Sequence, residues 1–340
     1  MRSIAPYDLM VAVLAGQTPP ASMVTRAFAV SATLWQRALA LEGCAVRLDR
    51  ALRASGLADT SPPLLRQLVR EATARAVRQA LTLPGQVTEL ADAARELGIR
   101  IMVLKGAARL LGADIPGMRS MSDIDVLTAP ADAARLHHFL RQRRGYEPMT
   151  ACPEHHLPTL MRAGALPVEV HIQLGPHRTN LDARIWRDAR GVLGTDLVVP
   201  SATSALLHAL EHGALVHWAV RYRLRDLLDV AEAWSADVDA EEVAAHLARN
   251  PQRVALSTML GGAHRFAPGI PIGRRSAWRT VRRVAQARHL LAAYVADGAP
   301  AQSLCIAGGV LAEASPRALL RPAELVLFGV KQARVAPVAS

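Results

Sequence analysis

The spacing of apolar and polar side chains changes twice along the 340-residue chain. Up to about residue 84, apolar positions recur three and four apart, as in Leu34, Ala38, Leu41 and Ala45. That period lines one face of a helix, so this stretch is expected to be helical throughout. Ser61-Pro62-Pro63 suits the start of a helix over residues 64–81, and Leu83-Pro84-Gly85 is expected to break it. A second helix is predicted over 86–97, closed by Gly98.

From Ile99 the pattern switches to short apolar runs. Residues 99–104 read as a buried strand that ends abruptly in Lys105-Gly106, followed by a helical turn or two and a break at Ile115-Pro116-Gly117. Ser122-Asp123-Ile124-Asp125-Val126-Leu127 alternates, and successive strand side chains point to opposite faces. Asp123 and Asp125 are therefore expected on one face, with Ile124 and Val126 turned to the core. Thr128-Ala129-Pro130 leads into a helix over 131–144, ended by Gly145. Residues 151–165 read as loop, and 167–173 as a strand with Glu169, His171 and Gln173 on a single face. Helical spacing returns at Ser201, a candidate cap for a helix over 202–216, with further helices over 222–235, within 241–266 and over 277–296. The fold class this predicts is α/β (α+β). A small mixed sheet over 85–200 is flanked by helical regions at 1–84 and 201–340, with no internal repeat.

Composition refines this only in places. At 51% hydrophobic residues the chain can bury a core, and a globally disordered chain is excluded. The formal net charge of +11 favours an anionic partner such as an NTP, nucleic acid or a membrane surface. Most of that charge is Arg spread along helical segments, and aromatics are only 4%, so stacking platforms for single-stranded RNA are scarce. RNA is admitted as a partner without being required. The basic stretch Arg274, Arg275, Arg279, Arg282, Arg283 and Arg288 spreads over a helix and is expected to be a solvated face. The run at residues 9–15 is short, edged by Asp8 and followed by no cleavage site, so it reads as helix and not as a leader. No run approaches the length of a membrane span. Cys44, Cys152 and Cys305 lack metal-ligand spacing and read as reduced thiols. A cytoplasmic protein without a membrane partner is expected.

The candidate chemistry lies in the middle region. Two carboxylates on one face are costly to ionise together unless a cation sits between them. Beside a Lys-Gly turn, such a pair suits Mg²⁺ carrying a phosphate ester. Only two of the forty basic residues are Lys, Lys105 and Lys331, so one of them stands at the junction of strand and turn. A lysine is a compact point charge that fits beside phosphate where a guanidinium fork does not. Gly106 suits a backbone that must approach phosphate closely. His155, His156, His171 and His177 raise a zinc alternative, but their spacing matches no compact zinc motif, and His171 is better read as orienting a carboxylate.

Leu104-Lys105-Gly106, then Arg119-x-x-x-Asp123-x-Asp125, then Glu169-x-His171 resembles the nucleotidyltransferase superfamily with the DNA polymerase β-like fold. Within it the chain looks like the bacterial "nucleotidyltransferase family protein" branch, and the resemblance covers roughly residues 85–235. The resemblance implies a Mg²⁺-dependent enzyme moving a nucleoside monophosphate from an NTP, with ATP expected, to a hydroxyl or phosphate acceptor on a small metabolite, peptide or RNA. It implies Asp123, Asp125 and Glu169 as catalytic ligands of two Mg²⁺ ions, and Lys105, Gly106 and Arg119 as nucleotide-binding residues. His208, Glu211, His212, Arg225, Asp226 and Asp229 are similar to downstream elements of the same branch, though an Arg225–Asp229 helix salt bridge explains that pair equally well. The widespread form has Gly-Ser or Gly-Gly at the phosphate turn. Here Lys105-Gly106-Ala107 stands there, with sixteen residues between Gly106 and Asp123. The missing serine removes a phosphate contact and motivates the alternative of a non-catalytic nucleotide- or RNA-binding protein on the same fold.

Overall fold

A computed structural model describes residues 5–111, 121–149, 155–175, 180–216, 222–271 and 275–297. Described residues within 71–209 and 235–243 form one compact unit, and those within 1–70, 210–234 and 244–340 form another. The second thus draws on both flanking helical stretches.

The first unit carries a seven-stranded mixed sheet. Its strands are β1 (Ile101–Val103), β2 (Ile124–Leu127), β3 (Glu147–Pro148), β4 (Leu160–Met161), β5 (Val168–His171), β6 (Arg190–Gly191) and β7 (Leu197–Val199), in the order β3-β4-β5-β2-β1-β7-β6. The central β2 pairs antiparallel with β1 and parallel with β5. The α/β class expected from the alternating runs is the one observed.

Five helices precede β1: α1 (Ala5–Leu14), α2 (Ala21–Phe28), α3 (Ala32–Glu42), α4 (Ala45–Ala54) and α5 (Pro63–Leu97). The break predicted at Leu83-Pro84-Gly85 does not occur, and α5 runs straight through it. Pro84 and Gly85 are exposed, whereas Leu83, Val87, Leu90, Ala91 and Ala94 are buried in the sheet's core at helical spacing. Immediately after the glycine, the buried Gln86 amide donates to Tyr146 Oη at 2.8 Å and to the Leu166 carbonyl at 2.9 Å, and accepts from the Leu166 amide at 2.9 Å. An interior proline costs a helix about 3 kcal/mol. Several buried side chains and a paired amide outweigh that, since each fully buried Leu or Val is worth roughly 1.5–3 kcal/mol.

Two helices complete the neighbourhood of the sheet: α6 (Lys105–Leu111), which begins directly after β1, and α7 (Pro130–Arg144), ended by Gly145 in the left-handed conformation. Later come α8 (Asn180–Arg187), α9 (Ala202–Glu211), α10 (Leu224–Ala233), α11 (Ala240–Arg249), α12 (Arg253–Ala263) and α13 (Arg275–Asp297). Ser201 caps α9 as expected, its hydroxyl accepting from the Ser204 amide at 3.2 Å.

In the helical unit, the basic stretch of α13 is not wholly the solvated face expected of it. Arg282 pairs with Asp8 at 2.9 Å, and the buried Arg288 donates to Glu42 at 2.5 Å. Arg47 of α4 donates to Asp229 at 2.7 Å and also grips Glu232, so a cation on another helix holds two carboxylates of α10. Among the described residues, no helix is long and apolar enough to cross a membrane.

Candidate active site

Sheet register brings the chemistry together. In the parallel β2–β5 pair, Asp125 stands opposite Glu169, so the two side chains leave the same face of neighbouring strands. His171, two residues beyond Glu169, shares that face. Lys105 arrives from the other side of β2. The Leu104 amide donates to the Asp125 carbonyl at 2.9 Å, which holds the end of β1 beside it.

The contacts converge on one oxygen. Lys105 Nζ lies 2.6 Å from Asp125 Oδ1, and His171 Nε2 lies 2.9 Å from the same atom. His171 Nε2 is also 3.6 Å from Glu169 Oε2. Asp125, Glu169 and His171 each offer a ligand atom, all within 4.8 Å of one another. Asp125 and His171 are buried, while the Lys105 and Glu169 side chains are 20% and 22% exposed, so the cluster opens to solvent along those two. Lys105 has φ +48°, a left-handed backbone that costs a residue with a Cβ about 1–2 kcal/mol. Strain of that kind collects at functional sites.

The electrostatics follow from this crowding. Burial pushes the Asp125 carboxyl up, but the Lys105 ammonium and the His171 hydrogen bond outweigh it and hold the group well below the usual carboxylate range. Glu169 behaves likewise: burial raises it, the His171 hydrogen bond opposes, and the net shift is downward. Asp123 goes the other way, raised by burial and then by the charge of Asp125. His171 would be lowered by burial, but its bonds to Asp125 and Glu169 raise it and favour the imidazolium. Lys105 and His171 therefore face three carboxyl groups in a mostly buried site, and carboxylate oxygens are the donors a hard divalent ion takes.

The predicted residues do not all sit alike. Asp125, Glu169, Lys105 and His171 are in contact. Asp123 lies just before β2, half-buried, accepting from Ser122 Oγ at 2.9 Å and feeling the charges of Asp125, Lys105 and Glu169. Gly106 is buried in the first turn of α6, and the residue before it, Lys105, has the left-handed backbone. Arg119 and His177 lie outside the described residues.

A further edge of the site was not legible in the sequence. His156 forms a β-bridge with His171, and the Leu157 and Ile172 amides donate across the same pair of segments at 2.9 and 3.0 Å. The rings of His155, His156 and His171 cluster with centroids 5.1–5.5 Å apart. His156 Nδ1 is 2.6 Å from the Leu157 carbonyl, which needs a proton on Nδ1, and its Nε2 faces Glu169 Oε2 at 3.7 Å. Thr159 Oγ1 donates to Glu169 Oε1 at 3.4 Å. In the sequence, His155 and His156 raised only a zinc alternative that their spacing did not support, and nothing in it showed which strand they would flank. Among the described residues, the ligand atoms that gather tightly enough for a metal are those of Asp125, Glu169 and His171. His155 is pushed down to about 4 by burial and then by the neighbouring imidazoles. The fully buried His208 of α9 is pushed down to about 3 by burial and then by Lys105, which makes it a neutral neighbour of the cluster.

A family model described as an uncharacterised nucleotidyltransferase matches residues 32–268. The crystal structure of an antigenic nucleotidyltransferase-like protein from Paracoccidioides brasiliensis is similar over 52% of this chain and 93% of that one, at 16% identity and a TM-score of 0.32. No curated protein matches the chain significantly.

Proposed function

The chain belongs to the uncharacterised nucleotidyltransferase family, and from that premise we propose that it moves a nucleoside monophosphate from an NTP to a hydroxyl or phosphate acceptor with Mg²⁺. The observation that carries the reading is the register of β2 against β5. It sets Asp125 opposite Glu169, with His171 Nε2 2.9 Å from the first carboxylate and 3.6 Å from the second.

The donor set fits a divalent ion. Asp125 and Glu169 supply close carboxylate oxygens, and Asp123 stands at the edge of the same charge cluster. These three would hold one or two Mg²⁺ ions. Bound there, Mg²⁺ supplies neutralisation of the α-phosphate and of the leaving pyrophosphate. The chain's own groups do the rest. His171 donates to Asp125 and so fixes the carboxylate's orientation. Glu169 is the more exposed of the two close carboxylates, which supports a role either as ligand of the metal or as the base that accepts the acceptor's proton. Lys105 has the charge and the flexible stem to bind a β- or γ-phosphate oxygen, and the first turn of α6 begins at that point.

Label transfer tests the reading. Wild-type protein and Asp125→Asn are incubated with each α-labelled NTP, Mg²⁺ and fractionated lysate. Label passing to a discrete acceptor with wild type alone supports transfer and identifies the base, with ATP expected, and the acceptor class, RNA included. Nucleotide binding without transfer by either protein would favour the non-catalytic binding module instead.

A further inference from the structure

Resting on that reading, we infer that Lys105 is the built-in counter-ion of Asp125 in the metal-free protein and that a divalent cation must displace it. The argument starts from Asp125 Oδ1. That oxygen already takes two charge-assisted contacts, from Lys105 Nζ at 2.6 Å and His171 Nε2 at 2.9 Å. A carboxylate oxygen has two lone pairs, so ligation through Oδ1 requires one of these partners to go. Ligation through the other oxygen gives no escape. It would place a dication a few ångström from the ammonium across a single carboxylate, where like charges repel strongly in a poorly screened site.

Which partner leaves is decided by how each is held. His171 is 2% exposed, fixed in β5 by its pairing with β2 and bridged on its other edge by His156. Its Nε2 retains Glu169 as a second partner. Lys105 sits at the first residue of α6 on a long flexible stem, its side chain 20% exposed, with a strained backbone at φ +48°. Lysine is the mobile member. Leaving Asp125, its ammonium stays at the open edge of the cluster, where the phosphates of a metal-bound nucleotide would arrive. One charge then serves twice: it neutralises Asp125 before the metal comes and a phosphate oxygen afterwards. Arginine, a rigid planar fork, is less suited to such an exchange. That accords with one of the chain's two lysines standing here amid thirty-eight arginines.

Two measurements on the full chain test the exchange. The first is Mn²⁺ affinity without nucleotide, by calorimetry and by the metal-induced rise in Tm, for wild type, Lys105→Met and Lys105→Arg. Lys105→Met is expected to bind Mn²⁺ about tenfold tighter or more, because the competing charge is gone. It should melt lower without metal and gain more on adding it. Lys105→Arg, which keeps the charge and leaves less readily, should bind no tighter than wild type. The second needs no variant, so it survives a Lys105→Met chain that fails to fold. Amine labelling of wild type is followed at Lys105, with the Lys331 peptide as the internal reference, in chelator and in saturating Mn²⁺. Labelling of Lys105 should rise about tenfold with metal as the ion pair opens. Equal or weaker Mn²⁺ binding by Lys105→Met, or labelling unchanged while Mn²⁺ binds, overturns the exchange and leaves the metal site standing. No Mn²⁺ binding by any of the proteins overturns both.

Discussion

Asp125 in the sheet unit and Glu42 in the helical unit are each buried between a cationic side chain and a histidine. Asp125 takes Lys105 at 2.6 Å and His171 at 2.9 Å, and Glu42 takes Arg288 at 2.5 Å and His289 at 3.0 Å. The local chemistry is nearly the same, but the surroundings are not. Glu42 is completely buried, and its second oxygen accepts the Leu224 amide at 2.9 Å. Burial pushes its carboxyl up, yet Arg288 and the His289 hydrogen bond hold it down at about 2. The fully buried Tyr7 ring closes against His289. Around Asp125 stand two further carboxyl groups, Asp123 and Glu169, and two of the surrounding side chains reach solvent. A closed cluster pins helices. An open one with several carboxyl groups offers the oxygen donors a hard cation takes.

The comparison can be broken by exchanging the effects of removing each carboxylate. The largest expected effect is on the proposed transfer: Asp125→Asn should lower it by about a thousandfold, since on that reading it removes a charge acting at the reacting phosphate. Its far-UV circular dichroism should stay native. An active, folded Asp125→Asn protein would remove Asp125 from the site. Glu42→Gln should do the reverse. Leaving Arg288 buried against a neutral amide costs about 3–5 kcal/mol in urea unfolding, with transfer unchanged where the variant is folded.

Acid sharpens the same contrast. The Glu42 carboxyl falls from an ordinary 4.5 to about 2 on folding, so its stabilisation is complete above pH 4.5 and disappears as pH drops through about 2. Over that window wild type should lose on the order of 3 kcal/mol more than Glu42→Gln. Parallel acid profiles would show that Glu42 is not held as described. The smallest effects belong to the supports of Glu169. His156→Ala should reduce metal affinity or transfer roughly tenfold, and Thr159→Ala, whose hydroxyl is 3.4 Å from Glu169, should have a lesser effect in the same assay. A His156→Ala protein indistinguishable from wild type would confine the site to Asp125, Glu169, His171 and Lys105.

Period and order along the chain determined a good deal. Alternation placed Asp123 and Asp125 on one face of a strand, and Glu169 and His171 within another; the observed strand starts at Ile124 and leaves Asp123 just before it. An apolar run ending in Lys105-Gly106 marked the turn beside them, and three- and four-residue spacing marked the helical regions. All of these are local preferences, written in neighbouring residues. Three features were decided only in the tertiary structure. Pro84 sits inside a continuous helix because buried neighbours and Gln86 compensate for it far along the chain. His156 joins the site because its segment pairs with β5, a choice of edge that no spacing encodes. Lys105 pairs with Asp125, twenty residues away, because β1 and β2 lie antiparallel and their register carries the end of one to the middle of the other. Each depends on free energy shared between distant residues, and a local pattern holds no record of it.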